Sequence, residues 1–560
     1  MRLRSCKYLK ERKISRRSVR WLFQMTAPYK WKILGLILIR CILTVIGISM
    51  AVINKYIVDL ATASLDMTAS IALAVLCTGL SLAGALLLNV FIIRLTEQYA
   101  YHLRSRMYAH ILQSSWRSRV EYHSEGVLSR LTSDVSAITD GVVEVSVSLV
   151  STILQFVMAF FVLLQYDFSL AFFAAVTGPV IFIFSYMVGR RLKRVQGHLQ
   201  QTEADYRVFL QEQISNADVV KAFEKETDSL NKLDKLQRVR MRWVEEKNRW
   251  TVLLRTGINL IFSGTYLLAF ISGALKIAAG TITYGTMTAF LSLVGQVQAP
   301  VHSMSRILSY AIGVLASAGR VSEMAEMPTE RGRGASLPEL TSVGLCVENI
   351  HFSYNGEHRV FSGFSMRVEP GTLAVMMGPS GAGKTTLIRI LLGFLSPTQG
   401  EVSYFDKDGC MFPCSPDTRK WVSYVPQGNT LFSGTIADNL KIGASDATEE
   451  QMRRALEMAC AWEFVEGLPA GIHTKIGEKA HGLSEGQAQR IAIARALIRP
   501  APLLILDEAT SALDAETEKR ILTHLRTRRE GQTCLMICHR ASVKSYADRV
   551  ITLTQEAERQ

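Results

Sequence analysis

Apolar residues in roughly the first 320 positions gather into runs of about twenty, each long enough to cross about 30 Å of hydrocarbon as a helix. Six spans are predicted, near Ile33 to Ile57, Ile71 to Ile93, Val145 to Gln165, Leu170 to Gly189, Val252 to Ala279 and Thr283 to Leu315. A wholly soluble chain of 560 residues would need about three to four domain-sized cores. A hydrophobic fraction of 48% and a mean hydropathy of +0.17 favour the lipid solution. After Pro338 the pattern becomes that of a soluble α/β domain. The chain therefore reads as four parts. Residues 1–32 form a cytoplasmic N-terminus with an interfacial helix over Val19 to Lys32, its Trp21, Leu22 and Phe23 facing lipid. Residues 33–322 form an all-α transmembrane domain of six helices, and 323–342 a linker marked by Pro328, Gly332, Gly334 and Pro338. Residues 343–560 form the α/β domain, opening with the strand-like Leu345 to Ile350.

The net charge of +14 would suit nucleic acid, but its placement argues for a membrane surface instead. Residues 2–32 hold eleven Lys and Arg against Glu11 alone, directly ahead of the first span. No small-residue cleavage site follows, so this is not a signal peptide. With the N-terminus inside, the Arg/Lys-rich segments 94–139 and 190–250 and the C-terminal domain all fall on the cytoplasmic side. The expected setting is a membrane, with the bilayer and not nucleic acid as partner. Helical periodicity continues past the second span through Tyr99, Leu103, Met107 and Ile111, and again from Arg190 to Lys247, so long helices reach into the cytosol. Arg40 inside the first span, and Arg255 and Lys276 near the ends of the fifth, are costly in lipid. Such charges mark a substrate pathway or snorkel to the headgroups, and Arg40 is the candidate for substrate contact. Gln296, Gln298 and Pro300 suit either a kinked polar cavity wall or helix packing. Nine scattered cysteines make no disulfide framework, and Cys410 with Cys414 lacks the second pair or histidines of a metal site.

The soluble part is organised by Gly378-Pro379-Ser380-Gly381-Ala382-Gly383-Lys384-Thr385-Thr386, which fits G-x-x-x-x-G-K-[ST] and follows the apolar run Leu373 to Met377. A strand running into this loop and then a helix makes a phosphate cradle. Gly378, Gly381 and Gly383 let backbone N–H groups turn inward, and Ser380 and Thr386 lie in the same cradle. Lys384 reaches the β- and γ-phosphates, and the Thr385 hydroxyl ligates Mg²⁺ at the helix N-terminus. A second apolar strand, Leu503 to Leu506, ends in Asp507-Glu508. An acid at the end of such a strand can hold Mg²⁺ through its water shell, and the next can orient or deprotonate an attacking water.

Leu483-Ser484-Glu485-Gly486-Gln487, continuing through Ala496, resembles the signature sequence of ATP-binding cassette (ABC) transporters. Tyr424-Val425-Pro426-Gln427 resembles that family's Q-loop, Ser511-Ala512-Leu513-Asp514 its D-loop, Ile537-Cys538-His539-Arg540 its switch histidine, and Tyr354 its adenine-stacking aromatic. Gly126 to Val135 and Asp218 to Phe223 resemble the two intracellular loops of exporter-type half-transporters, and Gly285 to Leu291 the start of their sixth helix. The likeness covers nearly the whole chain. It implies a six-helix transmembrane domain plus an α/β P-loop nucleotide-binding domain with a helical signature subdomain. It also implies Glu508 as general base, His539 at the γ-phosphate, and Gln427 with Thr385 and Asp507 at Mg²⁺ or its water. Tyr354 and the D-loop Asp514 are counted among the nucleotide contacts. Ser484, Gly486 and Gln487 serve the γ-phosphate held by a second chain, where Ser484 and the Gly486 backbone can donate from a helix N-terminus. One cassette and about six spans then require a dimer that sandwiches two ATP molecules. Glu485 stands where the family usually has glycine, which leaves a heterodimer open, although the intact Gly486-Gln487 and the full catalytic set favour a homodimer.

The implied activity is ATP-driven export of an amphiphilic small molecule, peptide or lipid by alternating access. A ligand-sensing membrane ATPase and an importer on the same body are the alternatives. No kinase, receiver or DNA-binding segment is appended, which favours transport, and no peptidase domain precedes the spans.

Overall fold

The computed structural model describes residues 16–553 except 122–123, 167, 331, 333–336, 355–358, 478–481 and 528–530. The basic residues up to Lys13, Asp167 of the tight outer turn and Gly334 of the linker lie outside the described residues. By contacts the chain divides into two compact units, Met1–Ala109 with Ser124–Glu326, and His110–His123 with Met327–Gln560.

The first unit is helical. Its members are α1 (Arg16–Thr26), α2 (Lys30–Thr62), most of α3 (Thr68–Gln113), α5 (Ser124–Ser129), α6 (Val135–Tyr166), α7 (Phe168–Ser215), α8 (Ala217–Ala222), α9 (Glu226–Ala278) and α10 (Tyr284–Ala325); α4 (Trp116–Glu121) belongs to the second unit. The interfacial helix stops at Thr26, short of the expected Lys32. A 3₁₀ turn at Ala27–Tyr29 carries Pro28 near its start, where a residue without an N–H is tolerated, and α2 begins after it. At the other end α10 runs on to Ala325, into the segment expected to be linker.

Among the described residues, four helical stretches are long and apolar enough to cross a membrane: Arg16–Thr62, Thr68–Gln113, Gly126–Tyr166 and Glu226–Ala278. The fourth and sixth expected spans fall on α7 and α10, helices of 48 and 42 residues in which several side chains lie outside the described set. Helix α9, at 53 residues, is about 80 Å long, far more than a bilayer needs, so its polar half must continue in water beside α7.

Ile48 and Ala51 of α2, Ala159 and Leu163 of α6, Ala269 of α9, and Phe290, Leu293, Val294 and Val297 of α10 form one buried cluster. Gln296 donates to the Gly47 carbonyl at 3.2 Å and Gln298 to that of Phe262 at 3.5 Å, so both glutamines tie α10 to neighbouring helix backbones. A π-helical turn at Arg130–Asp134 opens α6, and Asp134 accepts from Ser317 at 3.0 Å and from both arms of the Arg320 fork. Arg40 is exposed on α2, with no ion-pair partner among the described residues.

The second unit holds two sheets. Strands β1 (Gly344–Ser353), β2 (Arg359–Val368), β4 (Gln399–Phe405) and β5 (Met411–Pro413) pair antiparallel in the order β2-β1-β4-β5. Strands β3 (Leu373–Met377), β6 (Val422–Val425), β9 (Leu503–Asp507), β10 (Thr533–Ile537) and β11 (Arg549–Thr552) pair parallel in the order β11-β3-β10-β9-β6. A short pair, β7 (Gly434–Thr435) and β8 (Lys475–Ile476), lies apart. Helices α11 (Lys384–Leu391), α12 (Ile436–Lys441), α13 (Glu449–Met458), α14 (Trp462–Glu466), α15 (Glu485–Ile498) and α16 (Ala515–Arg526) complete the unit. Every residue of β9 and β10 is buried, as the continuous apolar pattern of a two-sided parallel strand requires. One core cluster joins the antiparallel sheet to α11 across one face, and another packs α12 to α16 on the other.

Gly400, the second residue of β4, has φ +83, and a Cβ there would lie 2.3 Å from the Asn349 carbonyl oxygen. Gly409 has φ +84 but open space around it. Gly400→Ala therefore meets strain and a backbone clash, whereas Gly409→Ala meets strain of about 1 kcal/mol alone. Thermal unfolding of the purified protein should show a drop of several degrees for Gly400→Ala and a smaller one for Gly409→Ala; equal midpoints would contradict the assigned register of β1 against β4.

Candidate functional site

The parallel strands deliver the site. Strand β3 runs into residues 378–383 and then α11. Gly381 and Gly383 have φ +84 and +91, and a Cβ on Gly383 would lie 2.7 Å from Val360 and 3.0 Å from Phe361, so glycine is needed there for both conformation and space. Lys384 is 7% exposed, and its Nζ donates to the carbonyls of Gly378 at 2.8 Å and Pro379 at 2.9 Å. The ammonium is thus folded back over the loop it serves. The Thr386 hydroxyl is 3.1 Å from Tyr354 Oη, which joins the loop helix to the predicted adenine-stacking ring. The hydroxyl of Thr385 makes no hydrogen bond among the described residues.

Strand β9 ends at Asp507, 1% exposed. Its Oδ2 accepts from Tyr424 Oη at 3.4 Å, while its buried Oδ1 has no hydrogen-bond partner among the described residues. Desolvation, reinforced by the neighbouring Glu508 carboxylate, pushes the Asp507 carboxyl up to about 6. An acid destabilised in this way, with one oxygen left over, is the group a cation would satisfy. Free Thr385 and Asp507 Oδ1 fit the part of a Mg²⁺ site that protein contributes in phosphate-binding proteins, where water and phosphate complete the shell. Among the described residues there is no cluster of three or more His, Cys, Asp or Glu suited to a metal. Cys410 is exposed, and the Cys414 thiol points instead at the Leu391 carbonyl, 3.2 Å away.

Glu508 adopts φ +50, a left-handed conformation that costs a non-glycine residue on the order of 1 kcal/mol. The strain is held by its N–H, which donates to Ile537 O at 3.2 Å, and by two side chains. Gln427 Nε2 donates to Oε2 at 2.7 Å, and His539 Nε2 lies 2.8 Å from Oε1. A carboxylate only accepts, so His539 carries its proton on Nε2 in this contact. Gln427 and His539 thus converge on one half-buried carboxylate beside Asp507.

The signature residues have local tasks. Ser484 caps α15, accepting from the Gln487 N–H at 3.2 Å, while Gln487 Oε1 accepts from the Ser484 N–H at 3.0 Å. Glu485 is exposed at the first helical position, and Gly486 packs so closely on the D-loop that a Cβ would lie 3.0 Å from Ala512 O. Asp514 caps α16 by accepting from Thr517 N at 2.9 Å, which holds its carboxyl below the usual range.

Several residues given no role in the sequence reading hold this arrangement together. Arg540 donates to Glu518 at 3.0 Å and to the carbonyls of Ser511 and Leu513, and Thr510 donates to the same buried Glu518 at 2.7 Å. Gln489 bonds Ser511 Oγ and the Ala512 N–H, both at 3.1 Å. Arg495 donates to Thr430 just beyond Gln427, and burial lowers its affinity for its proton.

Residues 33–301 match the ABC transporter transmembrane region, and residues 361–511 match the family described as ABC transporter. The chain is 32% identical over 465 residues to an ATP-dependent lipid A-core flippase of Chromobacterium violaceum, covering 82% of this chain and 79% of the relative. It is 27% identical over 543 residues to a Staphylococcus aureus protein named for multidrug export, an ATP-binding/permease protein, covering 95% and 94%. The solved structure of a bacterial Atm1-family ABC exporter with ATP bound shares the fold, at a TM-score of 0.78 and 21% identity over 95% of both chains. With its helical membrane region and its α/β nucleotide-binding unit, the chain belongs to the ABC transporter family as a bacterial-type exporter half-transporter that couples ATP hydrolysis to transport.

Proposed function

We propose that two copies of this chain form a symmetric exporter with six spans per copy, the N-terminus and nucleotide-binding domain facing the cytoplasm of a bacterial cell. Each ATP lies on the loop Gly378 to Thr386 of one copy and under Ser484, Gly486 and Gln487 of the other. Tyr354 stacks on the adenine, and the D-loop with Asp514 crosses between the two sites. The observation that carries this reading is the convergence of Gln427 and His539 on Glu508, at the strand end beside the phosphate loop.

Glu508 orients the attacking water and takes its proton, and His539 holds the carboxylate in place until the γ-phosphate arrives. Lys384 exchanges its two loop carbonyls for phosphate oxygens. Mg²⁺, held by Thr385, Asp507 and Gln427, would neutralise charge on the β- and γ-phosphates. Closure of the cassettes passes through the segments 126–135 and 218–223 to the spans, which turn from inward- to outward-facing. The cargo is an amphiphile, in line with the lipid A-core and multidrug relatives, and the exposed Arg40 guanidinium on α2 is the candidate contact for an anionic head.

Glu508→Gln should lower steady-state ATP hydrolysis in proteoliposomes by roughly 10²-fold or more and abolish export with it; parental hydrolysis or export in this variant would remove Glu508 from the mechanism. Asp507 gives a second test. Its folded-state affinity for a proton is raised from about 4 to about 6, so protonation favours the folded protein. Stability therefore falls as pH rises from about 4 through about 6 and stays lower above, by about 2–3 kcal/mol from this group. Without added nucleotide or Mg²⁺, Asp507→Asn should unfold at a higher temperature than the parent at pH 7.5, with the gap narrowing toward pH 5. Equal midpoints at pH 7.5 would mean that Asp507 is not destabilised by its burial.

A further inference from the structure

Arg389 sits on α11 one turn beyond Thr386 and is half-buried, yet it makes no ion pair among the described residues. Two contacts place it. Its Nη1 donates to Tyr354 Oη at 3.1 Å, and its guanidinium lies 4.5 Å from the centroid of the Trp116 ring, within cation–π range. The Tyr354 hydroxyl is also 3.1 Å from Thr386 Oγ1, so that phenol is held by two groups of α11, three residues apart on one face. Phe352 meets the Tyr354 ring edge-on, with centroids 5.0 Å apart. A second contact comes from the helix that carries Trp116, because Arg117 Nη2 donates to the Tyr354 carbonyl at 2.9 Å. Helix α4 thus grips Tyr354 twice, once at its backbone and once through Arg389 at its hydroxyl.

The α4 segment is itself anchored. Ser115 N donates to Pro328 O at 2.8 Å, Ser114 bridges Thr329, and Glu330 takes Arg419 at 2.5 Å and Arg119 at 3.6 Å. Trp116 and Tyr354 both pack on the core cluster that contains α11. A shift of α4 would carry the Trp116 ring away from the guanidinium. Arg389, which makes no direct ion pair among the described residues and meets the Asp507 carboxylate only through space, would then lose the contact that aims it at Tyr354.

We propose that Arg389 is a positioning residue that sets the plane of the Tyr354 ring according to the placement of Trp116, so that ATP affinity follows the α4 segment. This rests on Tyr354 being the adenine platform. The Trp116 side chain acts through Tyr354 and touches no reacting atom, so it alters KM for ATP and leaves kcat nearly unchanged; Arg389 acts through Tyr354 as well, beside its through-space effect on Asp507.

The test is ATP hydrolysis by the full-length protein in liposomes across a range of ATP concentrations. Tyr354→Ala should raise KM about tenfold. Arg389→Gln removes one of the two hydrogen bonds of the Tyr354 hydroxyl and Tyr354→Phe removes both, so each should raise KM about threefold or more and the double variant no more than Tyr354→Phe alone. Trp116→Ala should raise KM about threefold with kcat within twofold of the parent, and Trp116→Phe, which restores a ring face, should recover most of the loss. Raised KM in Tyr354→Ala with parental KM in Arg389→Gln or Trp116→Ala would overturn the relay and leave the platform standing. Parental KM in Tyr354→Ala would overturn the platform and the relay together. Additive effects of Tyr354→Phe and Arg389→Gln would also overturn the relay. Should Arg389→Gln fail to fold, Tyr354→Phe combined with Trp116→Ala gives the same additivity test without it.

Discussion

Four parallel strands end side by side, and each end carries a different part of the site. In the order β3-β10-β9-β6, the residues just beyond the carboxyl ends are the phosphate loop, His539, Glu508 and Gln427. Ile537 pairs with both Met376 and Asp507, and Val425 pairs with Leu506, so the four ends lie level. Register in a buried parallel sheet is enforced by burial on both faces, since a slip would break the packing of every apolar residue at once. The positions of Gln427 and His539 on either side of Glu508 follow from strand order. Glu508 directly follows β9, with β10 on one side delivering His539 and β6 on the other delivering Gln427.

The strand ends alone do not aim the side chains. Glu508 is turned into its left-handed conformation at a cost that the surrounding bonds must exceed. Behind it, Arg540 draws together the D-loop carbonyls and the buried Glu518, while Gln489 of α15 fastens the same loop from the signature side. Removing either partner would leave a buried charge or donor unmatched, the expensive way to lose such a bond. The chain after His539, the D-loop and the signature helix are therefore held as one connected network, and a shift in any of them is felt at Glu508.

What could be read from the sequence was whatever local backbone demands or apolar periodicity writes into consecutive residues. Gly378 to Thr386 needs glycines at fixed offsets, and Leu503 to Glu508 is a buried strand with acids at its end. The apolar spans followed from length alone. The rest depends on residues far apart in the chain that meet only after folding. Trp116 and Arg389 are unremarkable where they stand, and nothing in the run Asp507-Glu508 announces that one carboxylate would be left with an orphan oxygen and the other with a strained backbone. The interfacial helix ended early because a single proline weighed more than the amphipathic pattern around it. Gln296 and Gln298 suited a cavity or a packed interface equally well until their backbone partners were known.

Glu485 shows how local stability and function can pull one position in opposite directions. An acid in the first turn of α15 lies at the positive end of the helix dipole and, together with the Ser484 cap, stabilises the free helix by a few tenths of a kcal/mol to about 1 kcal/mol. The same end of the helix is where, in the proposed dimer, the γ-phosphate of the other copy is received. A carboxylate there shares the donors and the dipole with the incoming anion and repels it, the more so once closure removes water. Its exposure is what keeps the two roles compatible, because a side chain free to rotate into solvent leaves the backbone N–H groups to the phosphate. In the proposed dimer the residue would then act as a brake on closure whose strength falls with ionic strength, as expected of an interaction between solvent-exposed charges and not of a packed contact.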